Sequence, residues 1–294
     1  MRLAVVTAIY PSVMRYIEDF FNSLDAQTDQ SFDLWVGVDG VDEKTIFSTL
    51  GKNISAKFVP VPFRATPAVV RNKVLEQALQ KCDAVALVDA DDILDKSRVE
   101  AAKKSAGEWD VTATAMKYIN NEGKAVAGFF DPGLGDSSLV KNNVFGFSNT
   151  TWRAQVLASF LPVPANCVLM DWFISTLALY SGASFGYDEE CRMLYRQHHG
   201  NIAASRAPFS PAQITKATAL VIGHYDLVLN AFAERRLEQI NKFSEARDYV
   251  KQFSKAISDQ NVLAQYVAAL NLLSNKHVWW SCVAQPELED LWKQ

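Results

Sequence analysis

Residues 84–94 read AVALVDADDIL. Ala84 to Val88 form an unbroken apolar run, as a strand buried on both faces of a parallel sheet requires, and the run stops at Asp89-Ala90-Asp91-Asp92. Residues two apart along an extended strand project to the same side, so Asp89 and Asp91 can present both carboxylates to one ligand. Adjacent carboxylates repel unless a cation lies beside them. Hard carboxylate oxygens favour Mg²⁺ or Mn²⁺, which bridge to a substrate's phosphates more readily than they fill an all-protein cage. An acidic solvated turn is the plainer reading, and the buried strand in front of the acids weighs against it.

Toward the N-terminus the same punctuation repeats. Leu3 to Ile9, Leu34 to Val38 and Ala56 to Val61 are three more short strand-like runs. Tyr16, Ile17, Phe20, Phe21 and Leu24 fall on one helical stripe. Thr66-Pro67 reads as an N-cap with proline in the first turn, and Val70, Val74, Leu75, Ala78 and Leu79 supply the buried face behind it. This rhythm predicts an α/β fold with a Rossmann-like, mostly parallel sheet, right-handed crossovers and flanking helices. Thr7 and Tyr10 end the first strand, Asp39 ends the second, Arg64 lies just past the third, and Asp89 and Asp91 end the fourth. In an open α/β sheet those carboxyl ends line the edge where ligands bind. Taken alone, Asp39-Gly40 is as readily a plain turn.

Downstream, Arg98 to Ser105 reads as a short helix and Val111 to Met116 as a strand. Residues 120–150 are richer in Gly, Asn and Asp and read as long loops over a binding face. Helical periodicity returns at Trp152 to Phe160 and Leu169 to Tyr180, and Arg192 to Tyr195 reads as a strand. From Pro211 the pattern is helical to the end. The expected organisation is an α/β domain over 1–208, in halves 1–116 and 117–208, followed by an all-helical extension over 209–294.

Lys and Arg number 29 against 33 Asp and Glu, a net charge of −4, while 49% of the residues are hydrophobic and 21% charged. The composition is that of a globular protein, and without a basic excess nucleic acid is not an expected partner. An anionic ligand must therefore be held by a local device. The N-terminal MRLAVVTAIYPS has too short an apolar stretch and no cleavage site for a secretory signal. Val168 to Tyr180, broken by Asp171, falls short of the roughly 20 residues a membrane span needs. Cys82, Cys167, Cys191 and Cys282 lack a CxxC or zinc spacing and read as reduced, buried residues of a cytoplasmic protein. His224 and His277 read as helix-face residues, and His198 and His199 as loop residues or a metal contact. Trp279 and Trp280 read as packed residues sooner than as a membrane anchor.

The chain resembles the family 2 glycosyltransferases of the GT-A fold. VVTAIYPSV is similar to that family's opening strand and turn, DAQTDQSFDLWVGVDG to its passage into the second strand, and RNKVLEQA to its Arg-Asn helix. VALVDADDIL is similar to its DxD strand, LMDWFISTLAL to its acceptor-side segment, and YRQHHGNIA to its YRQH ending. The resemblance covers roughly residues 1–205 and leaves the helical tail out. It implies a nucleotide-sugar-binding half over 1–116 and an acceptor-side half over 117–208. Thr7, Tyr10, Arg64, Arg71 and Ala90 would line the nucleotide-sugar site, with Asp39 on the base and Asp89 facing ribose and metal. Asp91 and His198 would serve the metal, and Asp171 would be the catalytic base. Met170 stands where the family usually carries glutamate, and a single Asp39 replaces its paired acids.

The implied activity is inverting, metal-dependent transfer of a hexose from a nucleotide-diphospho-sugar, UDP- or dTDP-linked, to a hydroxyl of a carbohydrate or lipid-linked acceptor. The cofactor would be Mn²⁺ or Mg²⁺ and the setting surface polysaccharide synthesis. The protein would work in the cytoplasm or at the inner membrane face, its helical tail free for a membrane or homo-oligomer contact. A position at a helix N-terminus is expected to favour ionised Asp171. Phe145, Phe147 and Trp152 fit a sugar platform and a packed core equally. A sugar-phosphate nucleotidylyltransferase would need a Gly-rich loop after the first strand, and AIYPSVMRY has none. The other alternative is a catalytically silent GT-A-fold module recognising a glycan or protein partner, which has no reason to keep both DADD and Asp171.

Overall fold

The computed structural model describes residues 1–130, 139–198, 200–203, 206–273 and 278–293. Two compact units emerge from the chain: Met1–Leu134 with Phe145–Ile174 and Gly182–His199, and Gly135–Val144 with Ser175–Ser181 and Gly200–Gln294.

The first unit is built on one mixed sheet. Its parallel half consists of β1 (Leu3–Ile9), β2 (Phe32–Val38), β3 (Lys57–Pro60) and β4 (Ala84–Leu87). Leu3 stands opposite both Phe32 and Ala84, so β1 lies between β2 and β4 in parallel register. The apolar runs that predict β1, β2 and β4 are largely buried, while β3, at the edge of the sheet, buries only Val59. Helices α1 (Ile17–Asp25), α2 (Glu43–Leu50), α3 (Pro67–Ala78) and α4 (Arg98–Glu108) connect and cover them. Thr66 caps α3 by accepting from the Val69 amide at 3.4 Å, with Pro67 in the first turn, and Val70, Val74, Leu75 and Ala78 are buried. The sequence pattern gives no sign of α2, because that helix buries a single residue, Ile46.

Beyond β4 the sheet continues through β8 (Thr150–Arg153), β6 (Val111–Ile119), β9 (Phe185–Arg196) and β5 (Ile93–Leu94), with β7 (Ala125–Phe130) on β6. Here the expectations need three corrections. Residues 120–150 hold strands as well as loops: β6 and β7 form a hairpin whose turn is fixed by Asn120 Oδ1 accepting from the Glu122 and Lys124 amides. The helix expected from Trp152 is a strand followed by the short α5 (Ala154–Ala158), since Thr150, Thr151 and Trp152 pair with β4 and β6. The strand expected at 192–195 begins at Phe185, its polar first half held extended by parallel pairing with β6. Helix α6 (Met170–Tyr180) follows its predicted span.

The second unit is helical as expected: α7 (Pro211–Arg235), α8 (Ile240–Ala256), α9 (Gln260–Leu270) and a 3₁₀ turn, Pro286–Leu291. Ser210 and Gln213 form a capping box at α7. Phe232 and Phe243 meet edge-on with centroids 5.0 Å apart, and Phe253 lies 4.7 Å from Tyr266. Trp279 and Trp280 are buried, which excludes them as a surface anchor. No helix among the described residues is long and apolar enough to cross a membrane.

Gly37 on β2 lies directly under α3: a Cβ there would stand 2.9 Å from Val70 Cγ1. Gly37→Val is therefore expected to cost about 2 kcal/mol through overpacking and to lower Tm by about 4 °C. Gly107→Ala, where a Cβ meets open space, should leave Tm unchanged or higher. Thermal unfolding of the two variants by circular dichroism checks the contrast.

Candidate active site

The acids that end β4 are fixed by a tight turn. The Asp92 amide donates to the Asp89 carbonyl at 3.1 Å, and the Asp89 amide donates to Ser148 Oγ at 3.1 Å. Arg71, one helical turn along from the Thr66 cap, reaches across to Asp89: its Nη2 donates to Oδ1 at 2.7 Å. The same guanidinium lies 3.9 Å above the Phe147 ring. Burial acts to lower the Arg71 pKa but is outweighed by Asp89, so the group is held above its ordinary value. Asp89 is raised, by desolvation first and by Asp91 in addition, with Arg71 opposing. Ala90 is buried between the two acids.

Asp91 points elsewhere. Its Oδ2 lies 2.9 Å from His198 Nε2, and both side chains are largely buried. The His198 ring stacks on Tyr16, with centroids 5.2 Å apart, and the Tyr16 hydroxyl donates to Asn121 Oδ1. Behind this pair sits Arg196, at the end of β9 and 1% exposed. Its amide donates to Asp92 Oδ1 at 2.7 Å, and its Nε donates to the Asp91 carbonyl at 2.7 Å. Nη1 donates to the Asn120 and Asn121 carbonyls and Nη2 to Asp19 Oδ2 at 2.7 Å. The guanidinium also lies 4.7 Å over the Tyr16 ring. Asp92, fully buried, is pushed well above the carboxylate range by desolvation and then by Asp91.

Asp171 stands in the first turn of α6. Its pKa rises to about 6, chiefly by desolvation; the nearby amides and Arg71 pull it down and Asp89 pushes it up. The amides of the helix N-terminus favour the ionised form as expected, but loss of water outweighs them and sets the net direction; the group is still mostly ionised at pH 7. Asp171, Arg71 and Asp89 thus act on one another as one electrostatic cluster. Tyr10 joins it, its phenol raised by desolvation and then by Asp89 and Asp91. Thr7 is buried, and its hydroxyl has no partner among the described residues.

Asp39 and Arg64 form a separate pair. Asp39 Oδ1 accepts from the Arg64 amide at 2.9 Å, which holds Arg64 at a left-handed φ of 60° with its guanidinium over Phe63. Of the aromatic residues with two readings, Phe145 and Trp152 are core, and Phe147 lies beneath Arg71. Cys191 is half-buried, unlike the other three free cysteines. His224 is buried on α7, while His199 and His277 lie outside the described residues. Sequence reasoning missed Arg196, Asp92, Asp19 and Ser148. The signal for the first was the YRQH segment itself, whose arginine ends a strand. A cavity of about 1030 Å³ in the helical unit, lined in part by Tyr225, Lys242 and Tyr249, contains none of the expected residues.

The donor set at Asp91 and His198 fits a divalent cation with few protein ligands. One hard oxygen and one imidazole nitrogen face each other, and no third His, Cys, Asp or Glu completes a cage among the described residues. Of the two carboxylates that flank it in sequence, Asp89 is paired with Arg71 and Asp92 accepts from the Arg196 amide.

No protein-family model and no curated protein matches the chain. Solved structures do. S. aureus TarS 1–349 in complex with UDP-GlcNAc is 17% identical with a TM-score of 0.56, covering 92% of this chain and 88% of that one. The mannosyltransferase PcManGT from Pyrobaculum calidifontis, in complex with GDP-Man and Mn²⁺, is 13% identical with a TM-score of 0.55, covering 93% and 76%. These neighbours are glycosyltransferases, and the fold is GT-A.

Arg196→Ala leaves several part-buried acceptors without their donor and empties a buried site, an expected loss of about 3 kcal/mol and a Tm lower by about 6 °C. Arg196→Lys should rescue little, because one ammonium cannot reproduce the fork. Equal Tm values for all three proteins would show that the clamp does not hold the turn.

Proposed function

We propose that this protein transfers a sugar from a nucleotide-diphospho-sugar to an acceptor hydroxyl in a single displacement that inverts the anomeric carbon. The observation that carries the reading is the set of charged side chains at the carboxyl edge of a GT-A sheet: the Arg71–Asp89 pair and, in the first turn of α6, Asp171, which feels both and is raised by desolvation to about 6. A base poised there can take the acceptor proton as the hydroxyl oxygen attacks. Arg71 sets a fixed positive charge beside the donor, and Asp39, oriented by the Arg64 amide, holds the base. Tyr10, Thr7, Arg64 and Ala90 shape the nucleotide-sugar site. Asp91 and His198 hold a Mn²⁺ or Mg²⁺ ion, which when bound supplies charge neutralisation for the departing diphosphate. Arg196 keeps those two side chains in register. The finer assignments are a UDP- or dTDP-linked hexose as donor and a carbohydrate or lipid-linked acceptor at the cytoplasmic face of a membrane. The neighbours that hold UDP-GlcNAc and GDP-Man support the donor class. The 1–208 and 209–294 division is retained as the functional one.

A thermal-shift panel of nucleoside diphosphates tests the reading. One base, uridine or thymidine, should raise Tm only with Mn²⁺ present, by the equivalent of about 2.7 kcal/mol at a hundredfold excess over Kd. If no nucleotide moves Tm with or without metal, the chain is a silent module.

Asp171→Asn should abolish transfer while leaving metal-dependent nucleotide binding intact. Because the base must be ionised, wild-type kcat/KM should fall about tenfold per pH unit below pH 6. A flat profile from pH 4.5 to 7, or loss of nucleotide binding in the variant, would remove Asp171 from the role of base.

A further inference from the structure

At the sheet edge where β6 and β9 begin, a cavity of about 460 Å³ opens beside α4, with Glu100, Lys104, Trp109, Thr112, Asp188 and Arg192 among its walls. β4 and β6 start from the same edge, each antiparallel to β8, so this is the edge opposite the DADD turn. One wall is aromatic. Gly186 lets the indole of Trp109 lie directly on β9, where a Cβ would stand 2.4 Å from its Cδ1, and Trp109 still keeps 40% of its surface exposed.

The floor is polar and unsatisfied. Thr112 is 6% exposed and its hydroxyl has no partner among the described residues. A crevice of about 10 Å³, room for about one water-sized atom group, shares Thr112, Asp188 and Arg192 with the cavity and reaches Arg98. Arg98 is 3% exposed. Its Nη1 donates to Thr151 Oγ1 at 2.8 Å and its Nη2 to the Thr150 carbonyl at 2.9 Å, while Nε has no partner among the described residues. No carboxylate forms an ion pair with it among the described residues. Asp188 accepts from Arg192 Nε at 2.9 Å and from the Glu190 amide at 3.0 Å, so it is already engaged. Burial pushes the Arg98 guanidinium down to about 10, with Asp188 opposing and Arg192 reinforcing. A buried cation with no directly paired carboxylate, its one nearby acid committed to another arginine, is costly, and an oxyanion is a group that relieves it. The carboxylates of Glu100 and Glu108 lie at the exposed rim, where solvent screens them.

We propose that this cavity binds a small molecule with an oxyanion head and a flat body, the head oxygens taking donors from Arg98 Nε and Thr112 Oγ1 and the body lying against Trp109. This site needs neither the donor nor the metal and does not depend on the transfer reading. It also has a route to the DADD turn: Arg192 Nη1 donates to Ser97 Oγ at 2.8 Å, and β9 runs on from Arg192 to the Arg196 clamp.

Phenyl phosphate, benzoate and inorganic phosphate are the probes, titrated calorimetrically into the full chain without nucleotide or metal. Phenyl phosphate or benzoate should bind wild type and Arg71→Gln alike, the latter blinding the nucleotide edge. Thr112→Val, which removes a hydroxyl that holds nothing else, should weaken either about tenfold. Trp109→Ala should weaken the aromatic probes and spare inorganic phosphate. The proposal is overturned if no probe binds, if Arg71→Gln abolishes binding, or if Thr112→Val leaves it unchanged. Arg98→Ala is not used, since it empties a buried site.

Discussion

The guanidinium of Arg196 is the constraint to which most of the site is tied. A buried cation has to be met by fixed oxygens, and those within reach belong to three different pieces of chain: the Asp91 carbonyl, the Asn120 and Asn121 carbonyls of the β6–β7 turn, and Asp19 on α1. Its own amide takes the Asp92 carboxylate. Because the main chain of Asp91 is held from behind, its carboxylate is free to face His198, and His198 in turn is seated on Tyr16. Two donor atoms 2.9 Å apart are thus oriented by contacts that no ligand has to make.

How much of this was legible depended on what makes each element form. Strands β1, β2 and β4 are largely buried, so their apolar runs announce them, and the polar residues that end them stand out by contrast; the edge strand β3 buries only Val59. The α3 cap is a local signal and reads directly from Thr66-Pro67. Strands β7, β8 and the first half of β9 are strands because a neighbour pairs with them, and Thr150-Thr151 or Tyr187 to Glu190 say little by themselves. Acids at strand ends could be found one by one, but the partners that sort them could not. That Arg71 takes Asp89 while His198 takes Asp91 is a matter of chain crossings, invisible to spacing. Arg98 and Arg196 look like ordinary surface arginines in a linear reading, yet each is buried at a crossing of elements.

Asp171 shows how competing terms settle. Helix N-termini stabilise anions by an effect worth typically 0.3–1 kcal/mol at exposed positions, whereas desolvation of a carboxylate can move its pKa by several units. Only the structure reveals how far this half-buried carboxylate is withdrawn from water, with Cys167 buried nearby and Asp89 adding a like charge. The result is a carboxylate poised near neutrality, a property that the residue type and its helix position alone would have denied it.

The two arginines of this edge divide the work by how many donors each has left. A guanidinium offers five N–H groups in a fixed plane. Arg196 uses Nε, Nη1 and Nη2 on protein oxygens and is closed to solvent, so it orders the site without touching a ligand. Among the described residues Arg71 hydrogen-bonds only Asp89, through Nη2, and its ring contact with Phe147 uses a face and leaves its edge free. Its remaining donors are available to an anion. In a chain with a net charge of −4 that matters: a phosphate-bearing ligand can be drawn to this edge only by charges set at single points, and Arg71 is one that the fold leaves open.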